Sequence, residues 1–192
     1  MSGTYPNTPV FNSVGFISKS YNLMSESLSG RTQVRNIGGQ RFEFKATYPP
    51  LTATEFAPVN AFVMAQNGMA ETFQIVLPEI SSKSGNATGT VQTVGADSIG
   101  ETSIVIDGLS GTIKAGDVIK FANHNKVYMV VSDLTGSGTL TIQPALREAT
   151  ANDTAITYDN VPFTVRLNND VQEYSLGLAS LVKYEVDFIE AI

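Results

Sequence analysis

His124 is the only histidine in the chain, and its imidazole is the one side chain whose ordinary pKa falls near neutral. General-base or nucleophile-activating chemistry would therefore start from it. A base needs an orienting partner and a sheltered pocket. His124 stands between Asn123 and Asn125 in what reads as a hairpin tip, so a solvent-exposed turn residue is expected. The other arrangements that could do chemistry are also incomplete. Gly108-Leu109-Ser110-Gly111 lacks the second spacer of a nucleophile elbow. Gly136-Ser137-Gly138 has neither the frame nor the Lys-Ser/Thr pair of a phosphate loop and reads as a β-turn. Zinc would need more imidazole or thiolate than one His and no Cys can supply.

Carboxylates offer little more. Asn168, Asn169, Asp170 and Glu173 carry oxygens of the kind that hold calcium, but without the glycine and full ligand ladder of a calcium loop. Asp107, Asp117 and Asp133 border turns, where Asp commonly caps backbone amides. Asn86-Ala87-Thr88 and Asn152-Asp153-Thr154 match glycosylation sequons, which matter only in a secreted protein. The expectation is no catalytic, cofactor-binding or metal-ligating residue, and no enzyme.

Charge narrows the partners. The net charge is −6, whereas a general nucleic-acid binder concentrates Lys and Arg. The longest basic cluster, Arg31, Arg35, Arg41 and Lys45, is interleaved with polar residues and reads as a solvated strand face. DNA is expected at most to pass along a like-charged channel, where repulsion keeps a polyanion from sticking. The start, Met1-Ser2-Gly3-Thr4-Tyr5-Pro6, has no basic or apolar leader pattern. No apolar run approaches the roughly 20 residues of a membrane-spanning helix, so membrane insertion is not expected.

Period-two alternation is the dominant pattern among the elements that would carry any site. Phe42, Phe44 and Ala46 share one face of a strand, with Arg41, Glu43 and Lys45 on the other. Phe73, Ile75 and Leu77 repeat the pattern, as do Phe163, Val165 and Leu167, and then Val182, Tyr184, Val186 and Phe188. One helix is expected over about 54–67. Thr52 and Glu55 have capping-box spacing, Phe56, Val59 and Val63 form an apolar stripe, and Gly68 is a left-handed stop. Pro58 suggests a start near Thr54 with an irregular first turn. Residues 81–90 are almost free of large apolar side chains and read as a linker or an exposed hairpin entry. Five or six short strands then follow between residues 103 and 158, separated by turns. The expected organisation is an outer β domain over 1–80 and 158–192, interrupted by a small β module over 81–157. The first 35 residues, with weak periodicity, read as a partly extended arm.

Two blocks carry a resemblance. The run GGQRFEFKATYPPLTATEFAPVNAFVMAQNGMAETFQIVLP, from Gly38, has a strand, a Pro49-Pro50-Leu51 turn, a helix, Gly68 and a strand bearing Phe73. It resembles a recurrent block in small distal-tail and baseplate (tail-tip) structural proteins of tailed bacteriophages. A second block, from Ala115-Gly116-Asp117 through Val127–Val131 to Gln143-Pro144-Ala145-Leu146, resembles the inserted module of the same proteins, and Pro162-Phe163 with Arg166-Leu167 fits their return strand.

The resemblance implies a mainly β fold, a tail-tube-like or distal-tail β-sandwich or barrel with one α-helix and an inserted small β-barrel module. It also implies a structural role at the tail tip, baseplate or tube end. The partners would be copies of the chain in a ring, six-fold or three-fold, and adjacent phage tail proteins. The place would be the virion, after assembly in the host bacterial cytoplasm. The family has no catalytic residue to carry over. Two other roles suit the same β pattern. One is a capsid decoration or head–tail joining protein. The other is a receptor- or carbohydrate-binding module, for which Tyr128 and Tyr158 are the aromatic candidates.

Overall fold

Alternation of apolar and polar residues builds the first sheet. Phe42, Phe44 and Ala46 on β2 (Thr32–Thr47) are buried, as are Phe73 and Ile75 on β3 (Phe73–Ile75). Phe163, Val165 and Leu167 on β12 (Phe163–Leu167) and Val182, Tyr184, Val186 and Phe188 on β14 (Val182–Glu190) complete that core. The computed structural model describes residues 3–177 and 180–192; Met1 and Ser2, the first residues of the expected arm, lie outside them. The strand order is β1 (Ser13–Glu26), β2, β14, β12, β3, with β13 (Tyr174–Leu176) beside the start of β14. The helix, α1 (Ala53–Ala65), adds Phe56, Val59 and Val63 to the same core.

Thr52 caps α1 as its spacing predicts. Its hydroxyl accepts the Glu55 amide while the Glu55 carboxylate accepts the Thr52 amide. The helix begins at Ala53 and continues through Pro58, so the proline sits inside it and deletes one donor instead of delaying its start. Asn67 and Gly68 both take left-handed backbone after the helix. A Cβ at Gly68 would stand 2.5 Å from Asp170 Oδ1, which accepts the Met69 amide. Replacing Thr52 with alanine is expected to cost about 1 kcal/mol in a urea titration. An unchanged midpoint would mean that the cap is redundant with packing.

The second sheet runs β11 (Ile156–Thr157), β7 (Val118–Phe121), β8 (Val127–Val130), β10 (Gly138–Gln143), β5 (Ser103–Asp107), β4 (Gln92–Thr93). A bridge between Gln92 and Ala155, with the Thr93 amide donating to the Thr154 carbonyl at 3.0 Å, brings its two ends together into a nearly closed barrel. Ile104, Ile106, Phe121, Tyr128, Leu140 and Ile142 fill it. β6 (Thr112–Ile113) and β9 (Leu134–Thr135) form a short ribbon beside it.

The polar stretch before the barrel is tied down at several points. Buried Ser81 donates its amide to the Leu77 carbonyl, accepts the Leu77 amide at its hydroxyl oxygen and accepts the Val161 amide at its carbonyl. Asp117 accepts the Ser84 amide and hydroxyl. Strand entry and return therefore sit side by side at Ser81 and Val161.

Within the stretch 1–35 read as a partly extended arm, β1 pairs with β2 from Ser13–Thr47 up to Glu26–Thr32. Only the lower half of this hairpin belongs to the sheet, because β14 pairs with β2 solely over residues 43–47. A register shift between Lys19 and Tyr21 faces Gly38 and Gly39, whose φ values of 80° and 82° suit glycine. Above that bulge the ribbon continues with no third strand. Its residues are exposed on both faces, so no hydrophobic alternation is selected there.

Candidate assembly surface

The outer ribbon presents an apolar surface that none of the described residues covers. Tyr21, Leu23, Met24, Leu28, Val34 and Ile37 are all exposed, Met24 to 72% and Val34 to 63%. Single exposed apolar residues are ordinary on a protein surface, but a run of them on a projecting ribbon is the kind of surface that partners cover. A two-stranded ribbon alone in water is marginal, which also favours a neighbour. The ribbon is basic as well. Residues 13–47 hold Lys19, Arg31, Arg35, Arg41 and Lys45 against Glu26 and Glu43. The basic cluster read from sequence lies on this element, with Arg31, Arg35 and Lys45 exposed and Arg41 half-buried. Lys19 pairs with Glu43 at 3.0 Å across the strands.

A second feature joins the two cores. Glu190 continues the inward face of β14, in phase with Phe188, and is fully buried. Its Oε2 accepts the Lys126 ammonium at 2.6 Å and the Phe42 amide at 3.1 Å. Its Oε1 accepts the Val127 amide at 2.9 Å. One carboxylate thus ties β14 and β2 of the first sheet to the β7–β8 turn of the barrel. The Lys126 ammonium also lies 4.1 Å from the centre of the Phe42 ring. Burial pushes this ammonium down from 10.5 to about 8 against the pull of Glu190, and Arg147 and Arg41 push it the same way. Lys120 makes a second link by donating to the Thr164 hydroxyl at 2.9 Å and to the Pro162 carbonyl. Val118 and Val127 of the barrel pack into the first core.

The side chains singled out for chemistry are mostly structural. His124 is buried, not exposed: its turn folds back onto the barrel, where Nδ1 meets the Tyr128 hydroxyl at 2.9 Å and the ring packs against Phe121. Tyr128 is fully buried too, and its oxygen accepts the Arg147 amide. Tyr158 is half-buried and donates to the Gly89 carbonyl at 2.8 Å. Neither tyrosine is a free aromatic platform. Asp117 accepts the Lys114 amide and Asp133 the Ala115 amide, the turn-capping role expected of Asp. The described residues bring no three His, Cys, Asp or Glu together as a metal cluster. No helix among them is long and apolar enough to cross a membrane.

Burial holds the His124 imidazole below its ordinary value of 6.5, while Glu148 and the Ala149 backbone pull the other way. The unfolded chain therefore takes up the proton first as pH falls. This contribution is complete above pH 6.5 and is lost as acid drives the folded imidazole to charge. Urea midpoints measured from pH 7.5 down to 5 should fall more steeply for the wild type than for His124→Gln. Parallel curves would contradict the assignment.

Residues 80–161, which contain the whole barrel, match the family model described as the B domain of distal tail protein pb9. The chain resembles the distal-tail proteins of tailed bacteriophages, and its role is that of a structural component of a phage tail. Among curated proteins it is similar to distal tail protein pb9 of Escherichia phage T5, 23% identical over 164 residues, which cover 83% of this chain and 80% of that protein. The likeness extends beyond the barrel into the first sheet. Its work lies in assembly with other phage tail proteins, in the virion.

Proposed function

We propose that this chain is a ring or collar subunit at the distal end of the tail, in contact with copies of itself and with adjacent tail proteins. The observation that carries the reading is the projecting β1–β2 ribbon, basic and apolar and uncovered by any described residue of its own chain. The first sheet also ends in open strand edges at β1 and β13. Exposed edges are a hazard unless a defined neighbour pairs or covers them. A head-to-tail contact that closes by rotation covers every edge without leaving one free. The tail resemblance supports six-fold or three-fold symmetry. The chain would line a channel with its acidic residues turned inward, letting DNA pass without binding. Assembly would take place in the host cytoplasm. The role is contact and shape, with no reaction to catalyse. Quantitative mass spectrometry of purified particles should count a multiple of three copies per tail. One copy per particle would contradict the ring.

A further inference from the structure

A cleft of about 740 Å³ separates the base of the ribbon from the barrel, walled by Ile37 and Gly38 on one side and by Ile99, Pro144 and Leu146 on the other. Arg147 lies on its wall, and Arg41 lines a smaller hollow that shares Ile37, Gly38, Gly39 and Arg147 with it. Neither arginine has a carboxylate partner among the described residues. Nη2 of Arg147 is buried there without a hydrogen-bond partner. An apolar cleft with one unpaired guanidinium on its wall and a second in the adjoining hollow fits an apolar segment that carries a carboxylate.

The chain displays such a segment on its far edge. Val171 and Leu176 are 72% and 69% exposed, and Glu173 between them is exposed as well. Tyr174 packs on Phe56 of α1 at 4.9 Å, which anchors the segment to its own subunit while β13 leaves its outer edge unpaired. Glu185 on the neighbouring strand adds negative charge. The ribbon side of the molecule is basic and this side is acidic.

We propose that residues 171–176 of a second copy occupy this cleft, with the Glu173 carboxylate between Arg147 and Arg41 and with Val171 and Leu176 against the apolar walls. The proposal rests on the ring reading and names the two faces that would meet in it. The contact is heterologous, since cleft and segment are different surfaces of one chain, and repetition closes a ring.

The chain has no cysteine, so introduced thiols report without background. Particles carrying the double variant Ile37→Cys/Leu176→Cys should, after mild oxidation, give a ladder of cross-linked copies on a denaturing gel, and each single variant should give only monomer. Particles shown to hold adjoining copies but yielding no ladder would overturn the docking and leave the ring standing. A single copy per particle would overturn both. Cross-linking to a different tail protein would also refute the second-copy occupant. Charge reversal is the independent arm. Glu173→Arg should cut incorporation into tails at least ten-fold, and adding Arg147→Glu should restore it. Wild-type incorporation of Glu173→Arg, or failure of the rescue in a folded double variant, would overturn the proposal.

Discussion

Replacing Glu190 with alanine is expected to destabilise the protein by about 3–5 kcal/mol, the cost of leaving a buried ammonium without its counter-charge. The loss should be larger than at any surface position, because the same carboxylate also accepts the Phe42 and Val127 amides. Lys126→Met should cost a similar amount by leaving Glu190 charged and unpaired. The double variant Lys126→Met/Glu190→Leu should recover part of the loss, since it removes both charges but leaves the Phe42 and Val127 amides without an acceptor. Urea titrations of the four proteins close the cycle. Additive losses would mean that the two residues do not act as a pair. The same contact bears on whether the barrel is a separable unit. Excising residues 82–157 removes Lys126 and strands Glu190, so a short-linker version should show cooperative β-type unfolding only when Glu190 is made apolar as well. Cooperative unfolding of the excised chain with Glu190 intact would show that the joint is dispensable.

Substituting Leu23, Met24, Val34 and Ile37 of the ribbon with Ser or Thr should leave the fold intact and abolish incorporation into tails. All four side chains are exposed, so each change is expected to move stability by no more than about 0.5 kcal/mol. If a neighbour covers them, each forfeits burial worth about 1.5–3 kcal/mol. The summed loss exceeds what a ring contact can absorb. Incorporation is read by immunoblot of purified particles and fold by thermal melting. A folded variant that enters tails at the wild-type level would show that the ribbon is not a contact surface.

Much of this architecture was legible in the residues because burial on one face writes a period of two. Phe42-Phe44-Ala46 and Val182-Tyr184-Val186-Phe188 carry it clearly, and both strands are where the pattern placed them. The Thr52–Glu55 capping box likewise marked the start of α1. The ribbon above Gly38 was illegible for the opposite reason: with both faces exposed it has no alternation to read. His124 misled because flanking asparagines do mark a turn, but they do not say which way its side chain points. Glu190 did carry a signal. It falls next in phase after Phe188, and a carboxylate on an otherwise apolar face implies a buried partner. What the sequence could not supply was Lys126, 64 residues away in the β7–β8 turn of the barrel. The cleft beside Arg147 was hidden too, since it exists only where the barrel comes against the ribbon.

A reconstruction of the assembled tail tests the account most directly. It should show several copies of this chain related by rotation about the tail axis, each with residues 21–37 of its ribbon covered by a neighbour and with an open channel at the centre. A single copy that touches no other copy of itself and lines no channel would contradict it.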